Sequence, residues 1–309
     1  MSKESELQEQ SDAAYIATID EIRWPIFKCR ASAIGHIMTE PRGKSVREQM
    51  ADIEAEVAAK MQMQEDAKTK SGKMYENRAE KIEQLEARWH ELNAIKDVPN
   101  LSATCIAYLK EWMIEQLYGA RKEFTSKQTD KGMKVEDDAI IYASCHIADM
   151  GLCSKNVQRF ENEWITGEMD VIIQDFVADI KSSYTQFTFP LFETELPEID
   201  YDYQVTGYAD LLEKAKGRVI YVLMNMPEEI IAKEANWKLP QNYTLEQYEQ
   251  FAQQYRYDHL PPHLRLKEFE VEITQDKINA IRQRVEDCRA YIANVLMQEV
   301  EKNRAKYQD

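Results

Sequence analysis

The stretch Asp170 to Lys181, DVIIQDFVADIK, decides the reading of this chain. Apolar and polar residues alternate on either side of Gln174 and Asp175, a pattern that predicts two short strands meeting at a tight turn. Side chains along a strand point alternately to its two faces. Val177, Asp179 and Lys181 therefore share one face, and Phe176, Ala178 and Ile180 turn toward a core. Asp170 falls on the partner strand, close enough to join Asp179.

Two carboxylates and a lysine gathered in this way suit a hard dication. Magnesium prefers oxygen ligands in octahedral geometry, and Asp170, Asp179 and the Ile180 carbonyl supply three oxygens while leaving positions for water and phosphate. A lysine beside them would orient or help deprotonate a nucleophile. This is a phosphodiesterase site in outline. Asp66-Ala67-Lys68 repeats the acid-x-Lys triplet in a polar helical stretch, so the triplet alone also fits an exposed hairpin with ordinary surface charges.

The flanks extend the pattern. Lys131 to Glu136, KGMKVE, opens a helical repeat running through Ile140, Ile141 and Cys145, with Glu136 in its first turns. An acid there could equally serve the helix dipole. Downstream, Gln204 and Tyr208 stand four apart in a helical stretch and share a face. Both could reach phosphate or base edges, although a tyrosine on such a face is also ordinary packing.

In this order, Glu136 on a helix, Asp170 and Asp179-x-Lys181 on a hairpin and Gln204-x-x-x-Tyr208 on the next helix, the chain resembles the PD-(D/E)xK nucleases. It is most similar to their lambda-exonuclease and YqaJ-type phage recombination branch. The matching blocks are KCRASAIGHIMTEPRGK (28 to 44), LSATCIAYLKEWMIEQLYGARKEF (101 to 124), KGMKVEDDAI (131 to 140), WITGEMDVIIQDFVADIKSS (164 to 183) and DYQVTGYADLL (202 to 212). Met169 stands where the motif's name expects proline, a position that touches no metal.

The resemblance implies an α/β fold: a restriction-endonuclease-like core with a central mixed sheet flanked by helices. It implies Glu136, Asp170 and Asp179 as metal-binding carboxylates together with the Ile180 carbonyl, Lys181 as catalytic lysine, and Gln204 and Tyr208 as an accessory motif beside them. Arg30 and Ser32 match an early block that helps hold a terminal 5′-phosphate; a helix cap with a surface charge is the plainer account of that pair. The implied activity is Mg2+-dependent exonuclease action, with Mn2+ able to substitute, from the 5′ end of linear double-stranded DNA. The product would be single strands for phage-type recombination. Implied partners are DNA ends, a single-strand-annealing protein and further copies of the chain in a ring. An endonuclease built on the same core is one alternative. A non-catalytic DNA-binding or assembly protein is the other, and clustered acids, which repel one another without a cation, weigh against it.

Composition narrows the rest. The 309 residues carry a net charge of −16, awkward for a nucleic-acid protein because binding by counterion release needs local cations. Arg30, Arg42, Lys44, Arg121, Lys122, Lys131 and Lys134 are the candidates. The five cysteines, 29, 105, 145, 153 and 288, form no C-x-x-C pair, so neither a disulfide framework nor zinc is expected. Some relatives hold an iron-sulfur cluster on one early and three late cysteines; only Cys288 lies late here, and no cluster is expected. No apolar run approaches a membrane span, and a cytoplasmic location is expected, that of the host cell if a phage encodes the chain.

Residues 1–12 read as a polar disordered tail and 13–309 as one nuclease domain with two additions. The first, at about 46–97, has apolar residues Met50, Ile53, Val57 and Met61, then Ile82, Leu85, Trp89 and Leu92, spaced three and four apart. That spacing predicts an antiparallel helical hairpin turning near Lys70 to Lys73, an arm for self-association or a partner, or two helices packed only on each other. The second, at about 227–309, is largely helical. It holds a helix from Leu245 to Tyr255, a strand from Phe269 to Ile273 and a long last helix from Thr274.

Overall fold

The computed structural model describes residues 15–19, 22–66, 73–122 and 126–307. The expected tail at 1–12 and most of the expected hairpin turn lie outside them. In chain order the elements begin with strands β1 (Tyr15–Ile19), β2 (Ile22–Pro25) and β3 (Cys29–Arg30), then a 3-10 turn (Ala31–Ala33) and helix α1 (Ile34–Met38). Helices α2 (Val46–Asp66), α3 (Lys73–Ala94), α4 (Ala103–Tyr118) and α5 (Lys127–His146) follow. The middle of the chain gives β4 (Phe160–Glu161), β5 (Ile165–Gly167), β6 (Val171–Ile172), β7 (Val177–Ser182), α6 (Ile199–Leu211) and β8 (Lys216–Val222). It closes with α7 (Glu228–Lys238), α8 (Leu245–Gln253), β9 (Leu266–Glu272), α9 (Gln275–Tyr291), a π-helical turn (Ile292–Leu296) and α10 (Met297–Tyr307).

The chain forms two compact units: residues 26–38 with 114–286, and residues 1–25, 39–113 and 287–309. The first contains every residue of the expected site. Its larger sheet has the order β6-β7-β8-β9, antiparallel except for the parallel pair β7 and β8. Parallel neighbours need a crossover, and α6 supplies it. A smaller sheet sets β5 between β3, parallel to it, and β4, antiparallel to it.

The hairpin expected at 170–181 is present, with Ile172 opposite Val177 and a turn closed by the Ile173 N–H donating to the Phe176 carbonyl at 3.1 Å. Phe176, Ala178 and Ile180 pack with Ala139, Ile140 and Ala143 of α5. The other face of β7 meets α6. Val177, Ala178, Asp179 and Ile180 are consequently all buried, as expected of a strand covered on both sides.

The start of α5 differs from expectation. Helix α5 starts at Lys127, where Ser126 caps it by accepting the Thr129 N–H at 3.0 Å. Glu136 therefore sits well inside the helix and has no dipole role at its start. Strand β8 runs from Lys216 to Val222, and at Gly217 it comes close to α6, where a side chain would be blocked. The Leu245 helix keeps its start, with a capping box between Thr244 and Gln247.

In the second unit α2 and α3 pack on each other, with Met50, Ile82 and Leu92 buried and Trp89 Nε1 donating to Glu54 at 2.8 Å. Arg47 and Asp97 pair at 3.1 Å. Met61, nearer the turn, is 49 % exposed. Gly119, at φ +62°, ends α4 in the left-handed conformation that its sequence position predicts. Cys105 and Cys288 lie buried with their Sγ atoms 3.6 Å apart. No helix among the described residues is long and apolar enough to cross a membrane.

A Cβ on Gly217 would stand 2.2 Å from Cγ1 of buried Val205 on α6. Valine is stiff about χ1 and cannot swing aside. Gly217→Ala should cost about 1–3 kcal/mol by overpacking, against the gain of about 0.5–1 kcal/mol that alanine usually brings to a strand interior. The urea midpoint decides: a rise would show that β8 and α6 are not so closely apposed.

Candidate active site

Pairing between β6 and β7 stops at Val171 opposite Ala178, one residue short of the two acids. Asp170 then replaces the missing backbone partner: its Oδ2 accepts the Ile180 N–H at 2.8 Å. The departing strand is held elsewhere. The Asn156 N–H donates to the Asp170 carbonyl at 2.8 Å, and Asn156 Nδ2 donates to the Met169 carbonyl at 3.0 Å. The two chains thus part where Asp170 and Asp179 need room between them.

Asp179 is 1 % exposed. Its Oδ1 accepts a hydrogen bond from Gln204 Nε2 at 3.1 Å. Its Oδ2 lies 2.6 Å from Lys181 Nζ in a close ion pair. Gln204 Nε2 also donates to the Tyr208 hydroxyl at 2.8 Å, and Gln204 Oε1 accepts from Lys181 at 3.3 Å. Lys181 Nζ stands 4.3 Å from the centre of the Tyr201 ring, within cation–π range. One face of α6, Tyr201, Gln204 and Tyr208, thus builds a hydrogen-bonded and aromatic wall beside the acids.

Burial pushes the Asp170 carboxyl up to about 8, and the nearby Asp179 charge adds to the effect. For Lys181, burial opposes the charged form, but the Asp179 carboxylate outweighs it and holds the ammonium above its ordinary value. Asp170, whose charged form is disfavoured by burial and by the neighbouring Asp179 carboxylate, borders a place where a cation would be stabilised. The donors are all oxygen: Asp170, Asp179 and the Ile180 carbonyl, a set suited to a hard dication.

These residues line an open cleft of about 570 Å³ together with Glu136, Tyr201, Gln204 and the Ser182–Tyr184 stretch. Glu136 faces the cleft but pairs with Lys155 at 2.7 Å. Among the described residues no group of three His, Cys, Asp or Glu side chains is arranged to hold a metal; Glu136, expected as a third carboxylate ligand, lines the same cleft as the other two and adds its charge to theirs.

Other expectations need correction. Tyr208, expected to touch substrate, is 4 % exposed, and its hydroxyl is engaged by Gln204. It positions Gln204. Arg30 and Ser32 do not line this cleft: Arg30 is bound to Glu115, while Ser32 is exposed on the turn before α1. Lys131, expected as a surface cation, is fully buried and donates to the carbonyls of Ser183, Tyr184 and Met224 at 2.7, 3.0 and 2.8 Å. It fastens the ends of β7 and β8, and burial brings its pKa down to about 8. Lys44 and Lys134 are paired with Asp52 and Glu229.

The sequence reading missed Tyr201 and Asn156. Tyr201 lies three residues before Gln204, a helical spacing that could have found it. Asn156 sits in an irregular loop and carries no pattern.

In comparisons with known proteins, no family model and no curated protein matches this chain. Its fold is similar to that of a solved phage related exonuclease from Haemophilus somnus 129PT, with TM-score 0.59 and 20% identity over 89% of this chain and 97% of the other. An alkaline exonuclease (LHK-Exo) from Laribacter hongkongensis aligns at TM-score 0.47 and 13% identity, over 66% of this chain and 87% of the other. At these identities the chain shares a fold with the Haemophilus protein.

Two stability measurements test the site's electrostatics. Asp170 ionises near 3.9 when unfolded and near 8 when folded. Between those values the folded state holds a proton that the unfolded state has lost, so stability falls as pH rises. In EDTA the urea midpoint should drop from pH 5 to pH 8, and Asp170→Asn should flatten that slope; an unchanged slope would show Asp170 ionised throughout. Lys131→Met should cost about 1–3 kcal/mol or more by leaving buried carbonyls without a donor, and a loss below about 0.5 kcal/mol would show that the clamp contributes nothing.

Proposed function

We infer that this protein is a metal-dependent phosphodiesterase acting on DNA ends, an exonuclease on linear duplex DNA. The observation that carries this reading is the buried Asp179–Lys181–Gln204 arrangement beside Asp170 in an open cleft. The similarity in fold to a phage related exonuclease supports it. Digestion from the 5′ end, release of single strands for recombination, and work with an annealing protein or in a ring are the finer parts of this proposal.

Asp170, Asp179 and the Ile180 carbonyl are the groups that would hold Mg2+. When bound, the ion lowers the pKa of water and offsets charge on the phosphate. The chain's own residues account for the rest. Gln204 fixes Asp179 through Oδ1 and is itself fixed by Tyr208. Lys181, kept as an ammonium by Asp179, provides the cleft's positive charge toward a phosphate oxygen and orients the attacking water. As the water oxygen bonds to phosphorus, the P–O3′ bond breaks. A 5′-phosphate leaves on one fragment and, after protonation, a 3′-hydroxyl on the other.

Linear duplex labelled at either end, with or without a 5′-phosphate, and a closed circle form the test substrates. Mg2+-dependent loss from phosphorylated 5′ ends, blocked by EDTA and sparing the circle, is expected. Cutting of the circle would make the protein an endonuclease. No cleavage with Mg2+ or Mn2+ would leave a DNA-binding or assembly protein. Lys181→Ala should lower kcat by about 10²–10³-fold, the scale for removing one preorganised charge-stabilising donor, and Asp179→Ala by at least as much. Full activity of either folded variant would remove the assignment.

A further inference from the structure

The segment from Ser183 to Glu198, between β7 and α6, forms part of the cleft wall through Tyr184, Thr188 and Pro190. It is internally tied. The Thr188 N–H donates to the Thr185 carbonyl at 3.1 Å, the Thr185 N–H donates to Thr188 Oγ1 at 3.1 Å, and the Tyr257 hydroxyl donates to Gln186 Oε1 at 2.7 Å. Phe189, 7 % exposed, anchors it. On either side of that anchor, Phe187 and Phe192 are 89 % and 90 % exposed. Large aromatic side chains are ordinarily buried; these two are displayed on the segment that gives Thr188 and Pro190 to the cleft wall, outside the cleft lining itself.

The cleft's charge indicates what these rings would meet. Lys181 is the one Lys or Arg among its lining residues, against Glu136, Asp170, Asp179 and Glu198. The chain as a whole carries −16. Phosphate contacts hold nucleic acid through several cations and counterion release, and this wall offers few. Aromatic faces hold bases by stacking, which needs no positive charge and tolerates every base. We propose that Phe187 and Phe192 form a base-stacking platform that holds the strand entering the cleft. The platform rests on the nuclease reading and adds to it the means by which an acidic protein retains its substrate.

Full-length Phe187→Ala/Phe192→Ala and Phe187→Tyr/Phe192→Tyr are compared with the wild type. The first assay is steady-state cleavage of an end-labelled oligonucleotide duplex. The second is quenching of 2-aminopurine in a single-stranded oligonucleotide by the same proteins in EDTA. The alanine pair should raise KM about tenfold per ring lost with kcat little changed, and should abolish quenching, while the tyrosine pair retains both. Unchanged KM and quenching in the alanine pair would overturn the platform while leaving the nuclease intact. If the same pair instead changed the sedimentation coefficient at constant KM, the rings would belong to a contact between copies and the proposal would fall. Quenching that depends on the rings without cleavage of any substrate would uphold the platform and refute the nuclease.

Discussion

A carboxylate in the middle of a sheet, almost wholly buried where its strand meets the cleft, is the constraint that its unit of the chain is arranged around. Asp179 needs partners because an unpaired buried charge is among the costliest features a fold can carry. It has Lys181 two residues along the same strand and Gln204 on the crossover helix, and these fix the strand's face and the register of α6 against β7. The second partner requires a third: Gln204 buried beside Asp179 would be left partly unsatisfied without the Tyr208 hydroxyl. Oδ2 is held by the Lys181 ammonium alone. Asp179 is thus held by α6 through Oδ1 and by Lys181 through Oδ2, and Asp170 meets it at the cleft.

Backbone geometry makes that meeting accessible. If β6 had continued pairing past Val171, its backbone would occupy the edge of β7 where Asp179 and Ile180 face the cleft. The Asp170 side chain takes over the hydrogen bond of Ile180, and Asn156 draws the Met169–Asp170 backbone aside. Lys131, buried beneath the ends of β7 and β8, performs the corresponding task at the other end by fastening three carbonyls. A lysine rather than a bound water suits this role because one ammonium has three donors.

The legible parts of the sequence were those whose pattern is local. Alternation around Gln174 and Asp175 identified the hairpin, and the spacing of Gln204 and Tyr208 placed both on one helix face. Apolar spacing at 46–97 identified two helices that pack on each other. What stayed hidden depends on distant partners. Whether Lys131 is a surface cation or a buried clamp is decided by carbonyls about fifty and ninety residues away, and nothing in KGMKVE announces them. Burial of Tyr208 follows from the close approach of Gly167 and Ala31 to α6. The start of α5 was misplaced because Gly132 reads as a boundary, whereas the cap that defines it is Ser126.

Net charge misleads for a similar reason: it is a sum over surfaces that do different work. Much of the negative charge lies on helices such as α2 and α3, where acids pair with neighbouring bases or face solvent. That charge discourages loose attraction to nucleic acid. Near the site the balance is also acidic, but three of the acids, Glu136, Asp170 and Asp179, line the cleft where a dication would sit, and the ion would offset most of that local charge. With the ion in place a phosphate meets two positive charges, the metal and Lys181, and nothing comparable along the rest of the wall. Affinity beyond that single phosphate must then come from contacts that are not ionic, which makes the exposed aromatic rings of the 183–198 segment a consequence of the charge pattern and not an exception to it.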